Sequence, residues 1–273
     1  MAKKKNVDRV VYYEDELHDD FANFDITRKN VKKNYKYFNY NIFSLLGGWL
    51  FRIFVAFPLL AFANLFFYHS HLKNRKVLRL VKRKGYYMYA NHVLSFDPIV
   101  HPILINPTRY CIIVAGPETF SINPFVSWLV KSLGAVPIPN RLDLKMYDRY
   151  TEYLSHHVKR RHRILIYPEA HIWPYCTLIR HFSHSSFRYP VNDNVPVMVA
   201  TTVFKKRKHR QKPIPIIYLD GPFYPNLELD TNERIDDLAL RARQAMLKRS
   251  EVKWNYAYIR YERKNNEEKA LEN

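Results

Sequence analysis

Tyr86-Tyr87-Met88-Tyr89-Ala90-Asn91-His92-Val93-Leu94-Ser95-Phe96-Asp97-Pro98 is the stretch on which the reading of this chain turns. Its first five residues are apolar or aromatic throughout and predict a buried strand. Asp97-Pro98 predicts a helix start, with Asp97 capping and Pro98 supplying the first-turn φ. A histidine and a carboxylate five residues apart are thereby held on one strand-to-helix turn. The carboxylate can take one ring N–H of His92 and leave the other nitrogen free as a base toward a hydroxyl. Taken alone the spacing decides nothing, because a capping Asp97 and a His92 resting in a polar turn would read the same.

Outward from this turn, the composition bounds the problem. A chain of 273 residues with 47% hydrophobic and 15% aromatic content can bury a sizeable core and is not a disordered chain. Its net charge of +19 and pI near 9.8 call for an anionic partner: nucleic acid, acidic lipid headgroups or phosphorylated metabolites. Two cysteines, Cys111 and Cys176, form no disulfide framework and suit a reducing compartment. The first forty residues lack the apolar core of a signal peptide, so the expected location is cytoplasmic.

Four regions are expected: a polar extension (1–40), a hydrophobic membrane-associating segment (41–76), a catalytic domain (77–250) and a solvated tail (251–273). The extension reads as mostly helical. Ile42–Tyr68 is the most hydrophobic stretch, but Gly47-Gly48, Arg52, Pro58 and Asn64 interrupt it. Beyond Arg52 only Ile53–Phe67 remains, against about twenty residues needed to cross a bilayer core. Basic residues flank it on both sides, which favours the cytoplasmic face for both ends. A hairpin or bent helix lodged in one leaflet answers both observations; a single span and a buried core helix are the alternatives.

From Val77 onward strands and helices alternate. Strands are expected at Gly85–Ala90, Tyr110–Ala115, Ala135–Pro139, Arg163–Tyr167, Val195–Phe204 and Pro213–Leu219. Helices are expected at Ile99–Ile105, Pro124–Leu133 (stopped by Gly134), Asp143–Lys159 with Leu144, Tyr147, Tyr150 and Leu154 on one face, and Asn232–Lys248. Alternation of this kind predicts an α/β domain with a largely parallel central sheet flanked by helices.

Three further blocks follow His92 and Asp97 in order: Gly134-Ala135-Val136-Pro137-Ile138-Pro139-Asn140-Arg141, Tyr167-Pro168-Glu169-Ala170 and Val195-Pro196-Val197. With the first, they resemble the glycerolipid acyltransferase family, whose members include the 1-acyl-glycerol-3-phosphate acyltransferases. That family carries His-four residues-Asp, then a Gly…Arg block, then Phe-Pro-Glu-Gly-Thr, then Val-Pro-hydrophobic. The resemblance covers about Gly85–Ala200, and the preceding hydrophobic anchor fits it too. It implies that His92 is the general base and Asp97 its orienting carboxylate. It implies further that Arg141 holds the acceptor's phosphate, a task suited to a guanidinium fork, and that Glu169 shapes the acceptor site. A buried salt-bridge partner is the competing reading of Glu169, and an ordinary surface arginine that of Arg141.

The resemblance also implies the reaction: a fatty acyl group passes from acyl-CoA or acyl carrier protein to the free hydroxyl of a lysophosphatidate- or lysophospholipid-like acceptor. The thioester is a co-substrate; no other cofactor and no metal is expected. Membrane lipid is the expected partner, at the cytoplasmic face. The third block departs from the family where Ala170-His171 replaces Gly-Thr and Ile172-Trp173 follows, which puts lysophosphatidate itself in question. His171 and Trp173 could line an altered pocket, with Arg180 a candidate for the missing positive charge; a packed or hydrogen-bonded His171 is favoured over a second base. His181-x-x-His184 is a metal pair without a third ligand nearby.

A basic nucleic-acid-binding protein is the rival from another class, resting on the charge and on the runs Lys159–Arg163 and Lys205–Arg210. Against it, the aromatics concentrate in Ile42–Tyr68 rather than between the basic runs, so no nucleic acid is expected. An inactive membrane adaptor with the same fold is the third reading, opposed by the intact His92 and Asp97.

Overall fold

The computed structural model describes residues 9–21, 31, 35–38, 42–107, 109–121, 124–140 and 142–264. Strand β1 (Arg9–Tyr13) comes first. The apolar stretch then forms one unbroken helical run: α1 (Ile42–Phe51), a π-wound turn at Arg52–Ala56, α2 (Phe57–Ala63) and a second π-wound turn at Asn64–Tyr68. Strand β2 (His71–Lys73) and a 3-10 turn (Arg75–Val81) lead into β3 (Tyr86–Ala90). There follow α3 (Asp97–Ile105), β4 (Cys111–Ala115), α4 (Pro124–Ser132), β5 (Ala135–Pro137), α5 (Leu144–Lys159) and β6 (Arg163–Ile166). The chain continues with α6 (Arg188–Asp193), β7 (Val197–Lys205), β8 (Ile214–Phe223), α7 (Thr231–Ser250) and β9 (Ile259–Arg263).

Seven strands make the central sheet, in the order β2-β8-β7-β3-β6-β4-β5. Every pairing is parallel except β7 with β8. The largely parallel sheet expected from the alternation is therefore present. Strands β3 and β6 are buried at every residue, as apolar runs covered on both faces must be. Along β3, Tyr87 and Tyr89 face the core shared with α5 and α7, while Tyr86, Met88 and Ala90 face the one shared with α3 and the 3-10 turn. Because β3, β4, β5, β6 and β7 run the same way, the loops that follow them emerge at one edge. That edge is where open α/β sheets place their sites.

Gly134 ends α4 at φ +99°, and an added Cβ would lie 2.4 Å from the Cys111 carbonyl oxygen, so the glycine read as a stop is required there. On α5 the buried stripe is Met146, Tyr150, Leu154 and Val158, with Asp143 capping through the Met146 N–H. Leu144, expected on that face, is exposed instead, because the stripe runs in four-residue steps from Met146.

Several expectations are corrected. The extension is not mostly helical where it is described: β1 pairs in parallel with β9, a strand inside the stretch expected to be a solvated tail. Neither short run can bury a face alone, and their partnership spans almost the whole chain. The 41–76 segment is not separate from the α/β domain, since β2 joins the central sheet beside β8. Nor does Arg52 shorten the apolar helix. Its guanidinium rests on the Tyr110 ring at 4.4 Å, and the helix runs through it. Leu46–Tyr68 is the one helix among the described residues that is long and apolar enough to cross a membrane by length and composition. At 1.5 Å per residue it measures roughly 35 Å. Only 6% of its apolar window is buried, with Trp49, Phe54, Leu59 and Phe67 exposed, which removes the buried-core-helix reading.

Candidate active site

The chain leaves β3 through Asn91, whose side chain extends the ladder by one rung. Its Nδ2 donates to the Thr202 carbonyl at 3.0 Å, and its Oδ1 accepts from the Thr202 N–H at 2.8 Å. His92 comes next. Its N–H donates to Glu169 Oε2 (3.2 Å), and its carbonyl accepts from the Trp173 N–H (3.2 Å). Val93 is held likewise by the Tyr175 N–H at 2.8 Å. The turn is thus tied to the segment after β6.

Asp97 does not cap α3. It is the first helical residue, Phe96 is the N-cap, and Pro98 lies within the first turn. The carboxylate reaches backward instead, and its Oδ2 accepts from the N–H groups of Val93 (2.8 Å) and Leu94 (2.7 Å). The same oxygen lies 3.5 Å from His92 Nδ1. That is an ion-pair distance, longer than a hydrogen bond. Nδ1 is buried with no hydrogen-bond partner among the described residues, and the Asp97 carboxylate is the acceptor it faces. The ring stacks on Tyr167, centroids 4.2 Å apart and planes 23° off parallel. Nδ1 directed at a carboxylate leaves Nε2 as the nitrogen available to a reactant.

His101, which the sequence reading did not single out, completes this cluster. One turn beyond Asp97 on α3 and fully buried, it meets the Tyr167 hydroxyl through Nδ1 (3.0 Å) and Thr202 Oγ1 through Nε2 (3.1 Å). Its Nε2 also lies 3.8 Å from Asp97 Oδ1. Burial pulls its pKa down, against the opposing pull of Asp97, and burial pushes the Tyr167 phenol well up. Both therefore stay neutral and serve as hydrogen-bonding struts. The signal was legible as Asp-x-x-x-His on a helix, a spacing that brings side chains together.

Glu169 sits at the same edge, but inside an ion pair. Oε2 accepts from Arg180 Nη2 at 2.9 Å, Oε1 accepts from the Arg180 N–H at 3.3 Å, and both side chains are buried. Arg180 also lies over Trp173 at 4.7 Å and donates to the His171 carbonyl, so its charge is already committed. Ala170 holds φ +62°, the left-handed region that explains a glycine at this place in the resembled motif. An alanine holds it at a cost of roughly 1–2 kcal/mol. His171 meets Asp20 at 3.3 Å, the hydrogen-bonded role favoured for it, while His181 and His184 go separately to Glu16 and Asp236 at 2.7 Å each. Arg141 lies outside the described residues. Ile138, three residues before it, is held to the same edge by the Ala115 carbonyl.

Trp173 is the link to the terminal strands. It is fully buried, stacks on Tyr261 of β9 (4.8 Å), packs on Tyr13 of β1 (4.8 Å), and donates through Nε1 to the Asp19 carbonyl. The two-stranded sheet therefore braces the segment that holds His92.

Residues 70–203 match the family model described as Acyltransferase. The α/β domain belongs to the acyltransferase family. The matched span of this acyltransferase domain runs from Ser70, just before β2, into β7, and so contains His92, Asp97, His101, Arg141, Glu169 and Thr202. The fold is similar to the crystal structure of PlsC, the 1-acyl-sn-glycerophosphate acyltransferase of Thermotoga maritima. The TM-score is 0.53 at 17% identity, over 80% of this chain and 90% of that one. No curated protein matches the chain by sequence. The chain is an acyltransferase enzyme, and His92 faces Asp97 at the edge where the parallel strands end.

Proposed function

We propose that this acyltransferase moves a fatty acyl group from acyl-CoA or acyl carrier protein to the free hydroxyl of a lysophosphatidate- or lysophospholipid-like acceptor. The placement of His92 Nδ1 against Asp97, with the carboxylate pinned by two backbone N–H groups, carries the reading. Asp97 keeps the proton on Nδ1, so Nε2 can take the acceptor's hydroxyl proton. The resulting alkoxide attacks the thioester carbonyl, forming the new ester C–O bond through a tetrahedral intermediate. Collapse breaks the C–S bond, and the imidazolium returns its proton to the leaving thiolate. Arg141 would hold the acceptor's phosphate. The exposed apolar face of Leu46–Tyr68, flanked by basic residues, supports attachment at the cytoplasmic face of a membrane, where such acceptors reside.

The test is direct. Purified full-length protein in neutral detergent is given a long-chain acyl thioester and a panel of lysophospholipids, and products are read by mass spectrometry. One acceptor should yield a diacylated product matched mole for mole by free thiol, and Arg141→Ala should raise the Michaelis constant for that acceptor far more than for the thioester. No product from any lysophospholipid, or equal effects of Arg141→Ala on both substrates, would overturn the corresponding part of the assignment.

A further inference from the structure

The opposite edge of the sheet holds a cavity of about 380 Å³ lined by Arg75, Lys76, Arg79, Lys82, Tyr86 and Arg109, among others. Tyr86 opens β3 and His92 follows its end, so roughly 20 Å separates this cavity from the catalytic turn at 3.3 Å per strand residue. We propose that this cavity is a second binding site, for a phosphate-bearing anion, distinct from the acyl-transfer centre.

Three observations carry the proposal. The first is the rim. Lys76, Arg79 and Lys82 recur at three-residue steps on and just after the 3-10 turn Arg75–Val81, and side chains at that spacing eclipse one another in a 3-10 helix. The other face of the turn is anchored, with Val77, Leu78 and Val81 packed in the core beneath. Three cations are therefore aligned in one row over the cavity.

The second is the floor. Arg109 donates to the carbonyls of Arg161 (2.6 Å), Val81 (3.1 Å) and Lys84, and lies over the Tyr86 ring at 5.0 Å. Behind it, Arg163 is buried and donates through Nη2 to the carbonyls of Pro102 (3.2 Å), Asn106 (2.7 Å) and Arg109 (2.8 Å). Its Nε is buried with no hydrogen-bond partner among the described residues. Two guanidiniums are thus immobilised side by side by backbone dipoles.

The third is the missing counter-charge. Not one Asp or Glu lies between Asp25 and Asp97, and among the described residues none of these cations pairs with a carboxylate. The rim cations are solvated, but Arg109 is partly withdrawn from water and Arg163 behind it is buried, and the carbonyl oxygens they meet carry only partial charge. A phosphate supplies what the cavity lacks: up to two charges and several oxygens that match guanidinium forks. The volume suits a phosphate with part of the molecule that bears it. The source is either an anionic phospholipid headgroup or a soluble phosphate ester.

Binding to full-length protein in neutral detergent at physiological salt tests this, with dihexanoyl phosphatidate and coenzyme A as the two probes. K76Q/R79Q changes two exposed rim residues. K208Q/K212Q removes the same charge from the distant loop between β7 and β8. At least one probe should saturate the wild type and K208Q/K212Q alike, and bind K76Q/R79Q tenfold or more weakly, with acyl transfer at saturating substrate unchanged in both variants. Tighter phosphatidate names the lipid source, and tighter coenzyme A the soluble one. Equal affinity of wild type and K76Q/R79Q, or an equal loss in K208Q/K212Q, would overturn the site.

Discussion

At the C-terminal edge of the parallel strands, Arg180 is buried against Glu169 at 2.9 Å, and Asp97 lies between two imidazoles. At the N-terminal edge, Arg109 and Arg163 turn onto backbone carbonyls, and His157 meets not an acid but His162, Nδ1 to Nδ1 at 2.9 Å. Around His92 and Glu169 opposite charges are thus matched, whereas around Arg109 and Arg163 positive charge is in excess. Matched charge holds groups in fixed geometry, which proton transfer needs. Excess charge held by dipoles has capacity left over, which binding needs.

The sharpest test of that division is the rate of acyl transfer. His92→Ala should lower turnover by about two to four orders of magnitude while leaving the protein folded, as removal of a general base does. Asp97→Asn should be comparably severe, because an amide can favour the wrong tautomer of His92 and also weakens the hold on the Val93 and Leu94 N–H groups. K76Q/R79Q, at the other edge, should leave the rate alone. Near-normal turnover of His92→Ala would break the comparison outright.

Next in size is stability at the matched edge. Arg180→Met strands the Glu169 carboxylate out of water, which costs about 3–5 kcal/mol when one partner of a buried pair is removed. The urea midpoint should fall accordingly, and the double change Arg180→Met with Glu169→Gln should recover most of it. An unchanged midpoint in Arg180→Met would show that the pair contributes packing alone.

How much of this was legible in the sequence follows from the range of the interactions. Strand and helix order from β3 to β6 and from β7 to α7 could be read because it rests on local periodicity, turn glycines such as Gly134 and buried runs such as Arg163–Ile166, whereas the six-residue α6 between them is too short to show a period. The turn that brings His92 to Asp97 could be read because the two are close in the chain as well as in space. Partnerships across distance could not. Nothing in Arg9–Tyr13 reveals a partner at Ile259–Arg263, and nothing in Asp97 shows that its oxygens face back to Val93 rather than forward along the helix. The same holds for Glu169, whose ion pair with Arg180 lies eleven residues on. His101 is the exception, a short-range signal, since it stands four residues beyond Asp97 on one helix.

A smaller effect probes that histidine. Tyr167→Phe removes the hydroxyl that His101 Nδ1 meets at 3.0 Å but keeps the ring stacked on His92. Loss of about 1 kcal/mol of stability is expected for one hydrogen bond, together with a few-fold drop in kcat. A change in the Michaelis constants with kcat intact would place Tyr167 in the substrate pocket instead of behind the base.

The smallest effect belongs to the edge with excess charge, and it is read through pH. His157 is pulled down to about 4, first by burial and then by His162, His156 and Arg160. Unfolded, it titrates near 6.5. Between those values the unfolded chain binds more protons than the folded one, so stability contributed here is complete above about pH 6.5 and is lost as pH falls toward 4. His157→Asn keeps a polar side chain but cannot titrate. Urea midpoints measured from pH 7.5 to 4 should therefore fall less steeply in the variant than in the wild type, with the two curves separating below about pH 6.5. Carboxylates elsewhere titrate in both proteins and cancel in the difference. Parallel curves through that window would mean that His157 carries its charge inside the fold without penalty, and that the N-terminal edge is less starved of negative charge than its geometry indicates.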